Sequence, residues 1–312
     1  MRVRQARADD EDQVVAFTEN TWPERFGGDY IPDVFPRWVA ANDETQRTLV
    51  AEREDDGVIG LVQVVILSDW EAWLQGMRVA PEHRNEGVGR ALSHAAFDWA
   101  AEHGATVGRN MVFSWNVQGL GLSRAAGFHP LTEFRWAHPS PDADANASPE
   151  WTIDEDPDAA WSHWQSSPAR DALRGIGLHL GESWAVAEVT REVLARAAET
   201  ESLLVLRRDG VAGMAFRVRV HEREQDGERQ QWAEYGAASW DDLPACRELM
   251  AAIARDAAEA GAERVRVLIP ETARAVSDVS AHRIEVADDP DFVMAADLTE
   301  PYRERYGEGP DS

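Results

Sequence analysis

Runs of apolar residues along the chain predict a mixture of short strands and amphipathic helices. Two β-rich runs, Thr48–Arg53 and Val58–Ser68, flank an Asp-Gly pair that is typical of a tight hairpin turn. Trp70–Val79 predicts a third strand, and the Ala- and Leu-rich stretch after it predicts a helix ending near His103. A further strand, Arg109–Phe113, follows that helix. The predicted fold class is α/β (α+β), with helices around one mostly antiparallel sheet.

The same pattern occurs a second time, roughly 155 positions downstream. The hairpin segment DGVIGL at Asp56–Leu61 resembles DGVAGM at Asp209–Met214. The helix end at Ala100–Ala105 resembles Ala257–Ala262, and each of these stretches contains a Gly at the expected C-cap. Two similar units in the same order indicate a tandem duplication.

A polar segment separates the two copies. Residues 139–150, PSPDADANASPE, have no apolar periodicity and are typical of a linker. The sequence therefore predicts a first domain of residues 1–138, this linker, and a second domain of residues 151–312. The length of 312 residues is enough for each domain to bury its own core.

The charge of the chain excludes several classes of function. All 31 basic residues are Arg, and 57 acidic residues give a formal net charge of −26, which resembles the sequences of extreme halophiles. A chain this acidic is a poor candidate for a nucleic-acid binder. The longest apolar run, Val58–Leu67, is far shorter than the ~20 residues that span a membrane. Cys246 is the only cysteine, and the nine His show no metal-binding spacing, so we expect a cytoplasmic protein without metal.

A glycine-containing loop joins the third strand to the helix after it. The loop RNEGVGR spans Arg84–Arg90, with Gly87 and Gly89 two positions apart. Glycines let the backbone N–H groups of such a loop point to one side, and a helix N-terminus adds partial positive charge. The sequence therefore predicts a phosphate site here. The spacing fits neither the Walker A loop nor the dinucleotide fingerprint.

This loop and a downstream motif resemble the GNAT acyltransferase superfamily. The pattern V-x-P-x-x-R-x-x-G-x-G-x-x-L from Val79 to Leu92 is similar to the acetyl-CoA loop of that family. The segment NVQGLGLSRAAGF at Asn116–Phe128 is similar to a second family pattern, N-x-x-A-x-x-L-Y-x-x-x-G-F. The resemblance covers roughly residues 1–138. The second copy shares the order of elements but lacks both motifs.

The resemblance implies that acetyl-CoA is the acyl donor. Its pyrophosphate is expected on the backbone of the glycine loop, and its pantetheine arm between the splayed strands Leu74–Val79 and Arg109–Ser114. The N–H of Met77 is the expected donor to the thioester carbonyl. The residues expected to contact acetyl-CoA are Met77, Arg78, Val79, Arg84, Asn85, Glu86, Gly87, Val88, Gly89, Arg90, Asn116 and Ser123.

Three side chains are candidates for the chemistry. Glu71 is the candidate base, since it shares strand parity with Trp73 and Met77; the alternative is an exposed acid at the start of the strand. In some relatives the base lies at the position of Trp73. Ser123 occupies the place of a family Tyr whose phenol protonates the leaving thiolate. Asn116 is expected to contact pantetheine or order a water, and it is equally expected as a helix N-cap.

The second copy is predicted not to bind acetyl-CoA. The offset places Pro244 opposite Gly87, and Pro has no N–H for a phosphate. It also places Asp241 opposite Arg84, which replaces a cation with an anion. One acetyl-CoA per chain is therefore expected.

These features together predict an acetyl-CoA-dependent N-acetyltransferase that transfers acetyl directly to a primary amine. The expected acceptor is a small molecule or a peptide, without nucleic acid or membrane as a partner. The Gly-, Pro- and aromatic-rich segment Trp22–Trp38 is expected to be an acceptor-side loop. A monomer and a homodimer are both open. The alternative function is a non-catalytic acetyl-CoA-binding sensor or regulatory module.

Overall fold

The computed structural model describes residues 1–19, 21, 28–146, 148–225 and 228–299, without the side chains of 224, 225 and 228. The chain forms two compact units, and neither is one continuous segment. The first unit comprises residues 1–112, 116–130 and 294–312, and the second comprises 113–115 and 131–293. Each unit is therefore completed by a piece of chain from outside its own repeat. The repeat boundaries at 1–138 and 151–312 stay a prediction.

The first unit has a sheet with the strand order β1-β2-β3-β4-β5, to which the last strand, β15, is added. The hairpin predicted around Asp56 is confirmed as the antiparallel β2–β3 pair. Its strands are β1 (Arg2–Gln5), β2 (Gln46–Arg53), β3 (Gly57–Ile66), β4 (Glu71–Val79), β5 (Val107–Phe113) and β15 (Asp291–Asp297). Its helices are α1 (Glu11–Thr18), α2 (Ile31–Ala40), α3 (Val88–Glu102) and α4 (Val117–Ala126), with 3-10 turns at Ala8–Asp10 and Pro81–His83.

Helix α2 corrects part of the expected acceptor-side loop Trp22–Trp38. Ile31, Phe35 and Trp38 recur at helical spacing and are all buried. They form a core with Val50 and other residues of α1 and of the sheet. An apolar face at this spacing packs as a helix, so the second half of the segment is core. Residues 22–27 lie outside the described part of the chain.

The second unit repeats the architecture. Its sheet has the order β6-β13-β12-β11-β10-β7, with β14 also paired to β6, and a separate β8–β9 pair. The strands are β6 (His129–His138), β7 (Thr152–Asp154), β8 (Ile176–Leu178), β9 (Val186–Glu188), β10 (Ser202–Arg207), β11 (Val211–Gln225), β12 (Glu228–Trp240), β13 (Arg264–Pro270) and β14 (Glu285–Val286). The helices are α5 (Pro157–Ser166), α6 (Pro168–Ala172), α7 (Arg191–Thr200), α8 (Leu243–Glu259) and α9 (Ala273–Ala281).

Helix α8 covers one face of this second sheet. Leu249, Ile253 and Ala257 of α8 are buried against Tyr235 of β12 and Val267 of β13. The hairpin predicted at Asp209 is confirmed as the antiparallel β10–β11 pair. The predicted fold class, mixed α/β with mostly antiparallel sheets, is confirmed.

Two further observations concern the connections and the helices. In the predicted linker, residues 139–146 and 148–150 form no helix or strand. Within the described ranges, no helix is both long and apolar enough to cross a membrane.

Candidate functional site

Strands β4 and β5 separate partway along their length. They pair in parallel from Glu71 opposite Val107 to Trp73 opposite Arg109, and the pairing ends there. β4 nevertheless continues to Val79. The backbone groups of the later half of β4 are therefore not used by β5, as the sequence predicted for two splayed strands.

A bulge distorts β4 beyond this point. Arg78 faces Leu61 of β3 and Gln75 faces Gln63, so two residues of β4 oppose one of β3. The bulge contains Gly76, whose φ is +65°. A Cβ on Gly76 would lie 2.6 Å from the ring of Trp38. Only glycine fits this combination of backbone conformation and close packing, and the bulge reorients the N–H of the next residue, Met77.

The glycine loop forms an uncapped helix N-terminus. Asn85 and Gly87 both have left-handed backbones, with φ of +66° and +82°. Gly87 is the N-cap of α3, no side chain caps this end, and the first helical bond runs from the Ala91 N–H to the Gly87 carbonyl. The N–H groups of Val88 to Arg90 are thus the first-turn donors that a helix leaves without internal partners. A Cβ at Gly87 would meet nothing within 4 Å, so the loop is open above this residue.

The second glycine of the motif has a different role from the first. Gly89 is buried in the first turn of α3, and a Cβ there would lie 2.8 Å from the Leu122 side chain. Leu122 belongs to α4, so Gly89 permits the close approach of α3 and α4. Gly87 provides the turn and Gly89 provides the packing behind it.

The charged side chains around the loop are largely held by one another. Glu86 pairs with Arg53 at 2.7 Å and contacts His83 at 3.3 Å. The hydrogen bond from His83, followed by the charge of Arg53, lowers the pKa of Glu86. Arg78 pairs with Asp29 at 2.5 Å, so its guanidinium is occupied away from the loop. Arg84 is exposed, and its Nε donates to the Val79 carbonyl at 3.4 Å.

The remaining predicted contact residues lie along one path from the bulge to the helix. Met77, Arg78 and Val79 are half-buried, Val88 and Gly89 are buried, and Arg84, Asn85, Glu86, Gly87 and Arg90 are exposed. A cavity of about 310 Å³ lies beside the loop, lined by Ala16, Phe17, Thr21, Pro81, Glu82 and Arg84.

Glu71 is buried and ion-paired rather than open to a cleft. Its side chain is 2% exposed and pairs with Arg109 of β5. Its second carboxylate oxygen accepts a hydrogen bond from Ser68 at 3.0 Å. The alternative of an exposed surface acid is therefore wrong, because the carboxylate is enclosed at the paired end of β4 and β5. The sequence did not identify Arg109 as its partner.

A polar chain follows the same face from Trp73 into the sheet. The Trp73 indole donates to Gln75 at 3.2 Å, and Gln75 donates to Gln63 at 2.7 Å. Gln63 then donates to Gln46 at 3.1 Å. Gln75 thus accepts the hydrogen bond of the Trp73 indole, and Gln63 and Gln46 extend this chain across two further strands.

Ser123 and Asn116 flank the separated part of β5. Ser123 is 5% exposed, and its hydroxyl accepts a hydrogen bond from the Asn110 amide at 3.1 Å. Asn110 lies on β5 beyond the last paired residue, and the sequence analysis did not single it out. The Asn116 side chain accepts from the Gly119 N–H at 2.9 Å, which confirms the predicted N-cap of α4.

The corresponding helix start in the second unit is capped by a side chain. The Asp242 side chain caps α8 by accepting from the Ala245 N–H at 2.8 Å. The Cys246 N–H bonds to the Asp242 carbonyl at 2.9 Å, and Pro244 has no N–H. Of the N–H positions at Leu243, Pro244 and Ala245, one is therefore capped and one is absent, so this helix start offers fewer donors than the one after Gly87. No group of three or more His, Cys, Asp or Glu suited to a metal occurs in the described residues.

Each of the comparisons with known sequences matches a part of the chain. Residues 12–128 match the sequence model of the Acetyltransferase (GNAT) family. The chain is 34% identical over 89 residues to the histidine N-acetyltransferase of Oreochromis niloticus, a match that covers 28% of this chain and 24% of that protein. With the histidine N-acetyltransferase of Xenopus tropicalis it shares 39% identity over 69 residues, or 22% of this chain and 20% of that protein. These matches thus cover less than a quarter of the length of either histidine N-acetyltransferase.

Solved structures match both units. The crystal structure of a GCN5-related N-acetyltransferase from Sphaerobacter thermophilus aligns with a TM-score of 0.60 at 13% identity, over 95% of each chain. A tandem GNAT protein from the clavulanic acid biosynthesis pathway aligns with a TM-score of 0.54 at 16% identity, over 96% of this chain and 99% of that one. The chain therefore has the GNAT fold, and its residues 12–128 carry the sequence pattern of the GNAT acetyltransferase family.

Proposed function

We propose that the first unit binds acetyl-CoA and transfers its acetyl group to a primary amine. The observation that carries this proposal is the uncapped N-terminus of α3, preceded by the left-handed residues Asn85 and Gly87 and placed after a strand that parts from its parallel neighbour. The N–H groups of this turn suit a diphosphate. The free backbone of β4 near Met77 and Val79 suits the amide groups of a pantetheine arm.

The thioester supplies an acyl group that an amine attacks directly. We propose that the Met77 N–H stabilises the negative charge that develops on the carbonyl oxygen. A new C–N bond forms, the C–S bond breaks, and the amine loses a proton while the thiolate gains one. Ser123 is the proposed hydrogen-bond donor that stabilises the leaving thiolate, and the proton that the thiolate gains is the one that the amine loses. Ser123 accepts a hydrogen bond from Asn110, which leaves its own O–H free to donate outward.

One variant distinguishes the two possible roles of Glu71, a general base and a positioning residue. As a base, Glu71 would have to leave Arg109 to accept a proton; as a positioning residue, it holds Arg109 in place. Glu71→Gln removes the ionisable group and keeps its shape. Loss of the group's ionisation from the pH–rate profile identifies a base, whereas lower stability with an unchanged profile identifies a positioning residue.

The experiment is free-thiol release from acetyl-CoA with a panel of amines. Histidine is the first amine to test, because the curated relatives matched over part of the chain carry that name. Release that depends on an amine, and falls in Ser123→Ala, supports an N-acetyltransferase. Binding of acetyl-CoA without release for any amine favours the sensor module, a candidate motivated by Ser123 in place of a phenol. A cytoplasmic location, a monomer or homodimer, and independence from metal remain predictions.

A further inference from the structure

One face of the sheet in the second unit carries charged and aromatic side chains instead of an apolar surface. In the strand register, Arg219 lies opposite Glu234 and His221 lies opposite Trp232. Glu234 in turn lies opposite Arg266 of β13. Directly opposed residues project to the same side of a sheet, so these five side chains share one face. The other face of the sheet is the core beneath α8.

Glu234, the acid of this group, is surrounded by basic side chains. Glu234 is 1% exposed, accepts a hydrogen bond from Arg219 at 2.7 Å, pairs with Arg266, and lies 3.5 Å from His221 Nε2. Burial opposes ionisation of Glu234, but the charges of Arg266 and Arg219 outweigh it and lower its pKa. Each oxygen of this carboxylate thus lies within ion-pair distance of an arginine.

A further arginine on the same face has no such partner. Arg223 follows His221 by two positions on β11, and its guanidinium carbon lies 5.5 Å from the ring centroid of Trp184 and 5.3 Å from that of Trp232. Within the described residues, no ion pair to Arg223 is found. Arg266 stacks on the same Trp184 ring at 4.0 Å. Two guanidinium groups therefore share aromatic walls beside one neutralised acid.

Two buried donors in this cluster also lack acceptors. Among the described residues, Trp232 Nε1 and Arg266 Nε have no hydrogen-bond partner. A buried donor without an acceptor destabilises the folded state. The Arg266 side chain is 3% exposed, whereas that of His221 is 31% exposed, so the cluster reaches the surface at His221. An anion that accepts hydrogen bonds would satisfy these donors and the charge of Arg223 together.

We propose that this face of the second unit binds a small organic carboxylate. The carboxylate oxygens accept from the donors of Arg223 and Trp232, and the organic part packs on the ring of Trp184. Arginine matches the planar, two-oxygen geometry of a carboxylate. The α8 helix start of the second unit is capped, but on this proposal the unit binds a ligand of its own at another place. This site is independent of the acetyl transfer proposed for the first unit.

Calorimetric titration of the full chain at constant ionic strength tests the proposal. The probes are acetate, benzoate and inorganic phosphate. We expect acetate and benzoate to bind once per chain, with benzoate tighter because its ring packs on the tryptophan. Failure of both carboxylates to bind overturns the proposal, whatever phosphate does.

A pair of variants locates the site. Arg223→Gln removes the unpaired cation and leaves the Glu234 ion pairs intact, so benzoate affinity is expected to fall at least about tenfold. Arg229→Gln is the control, because Arg229 lies on the same hairpin, is 71% exposed and pairs with Glu222 on the opposite face. Equal affinities of the two variants overturn the assignment.

The acetyl-CoA affinity of Arg223→Gln separates the two proposals. It is expected to equal that of the unchanged chain, because Arg223 lies in the second unit and the glycine loop in the first. Loss of benzoate binding with acetyl-CoA binding retained supports this site alone. Parallel loss of both ligands contradicts the independence of the site.

Discussion

Trp73 of β4 and Arg109 of β5 are the last residues at which these two parallel strands face each other. Beside them, the buried ion pair between Glu71 and Arg109 ties the strands together. Beyond them the strands separate, and β4 leads through its bulge to the turn at Gly87. The site is thus fixed at one end and open at the other, which is the arrangement required to admit an extended ligand arm between two strands.

The ion pair that fixes the closed end is expected to dominate local stability. Arg109→Met leaves the Glu71 carboxylate buried without its arginine counter-ion, and this should lower the free energy of unfolding by about 3–5 kcal/mol. Urea unfolding measures the loss. Arg53→Met is the matched control, since loss of the more exposed Arg53–Glu86 pair should lower the free energy of unfolding far less. Similar losses of unfolding free energy in the two variants would show that the buried ion pair stabilises the protein no more than the exposed one.

Close packing of two helices is expected to depend on Gly89. Gly89→Ala places a methyl group 2.8 Å from Leu122, which should destabilise the protein by about 1–3 kcal/mol. Leu122→Ala should remove the clash, so the double variant should lose less than the two single losses added together. Thermal unfolding of the four proteins completes the cycle. Strict additivity would mean that the contact does not limit the approach of α3 and α4.

Burial of Asp291 predicts a pH-dependent stability. Burial raises the pKa of Asp291 to about 6, although the Trp136 indole donates to it at 3.0 Å. The unfolded chain loses this proton near pH ~4, so the native state holds more protons between pH ~4 and ~6. Stability therefore falls as the pH rises through that window, and the full cost remains above it.

Asp291→Asn removes this cost and keeps an oxygen that accepts from Trp136. The variant is expected to be more stable than the unchanged chain by up to about 3 kcal/mol at pH ~7.5, with little gain near pH ~4. Urea unfolding at the two pH values measures the difference. Asp144→Asn, an exposed acid, is the control and should show no such trend. A gain of the same size at both pH values would contradict the assignment.

Local signals in the sequence predicted the elements that form the glycine loop. The hairpin at Asp56, the strand ending at Val79 and the helix after Gly87 each depend on nearby residues, so pattern and turn chemistry identify them. The N-cap role of Asn116 is of the same kind, because the capping bond reaches only three residues along the chain.

Contacts distant in sequence were not predicted. Arg109 meets Glu71 across a strand pair, and Asn110 of β5 meets Ser123 of α4. No local pattern specifies which side chains become neighbours at these places. The assignment of residues 294–299 to the first unit is likewise set by strand pairing. The segment before Trp38 resembled a loop because Gly and Pro outweighed the helical spacing of its apolar residues.

The backbone at Gly87 is expected to control affinity for acetyl-CoA. Gly87 has a left-handed backbone, which a β-branched residue disfavours. In Gly87→Val the loop must therefore change its backbone conformation, although no atom lies within 4 Å of the added Cβ. Acetyl-CoA affinity should fall at least about tenfold. Gly104→Val is the matched control, because Gly104 has φ of +93° just beyond the other end of α3. Equal affinity in both variants would argue against a binding role for the turn.

Calorimetric titration of the unchanged chain with acetyl-CoA tests the central claim most directly. One molecule is expected to bind per chain, because no side chain caps the donors after Gly87, while α8 has one donor capped by Asp242 and another lost to Pro244. Binding of one equivalent that weakens in Gly87→Val agrees with the account. A second equivalent, or no binding at all, would contradict it.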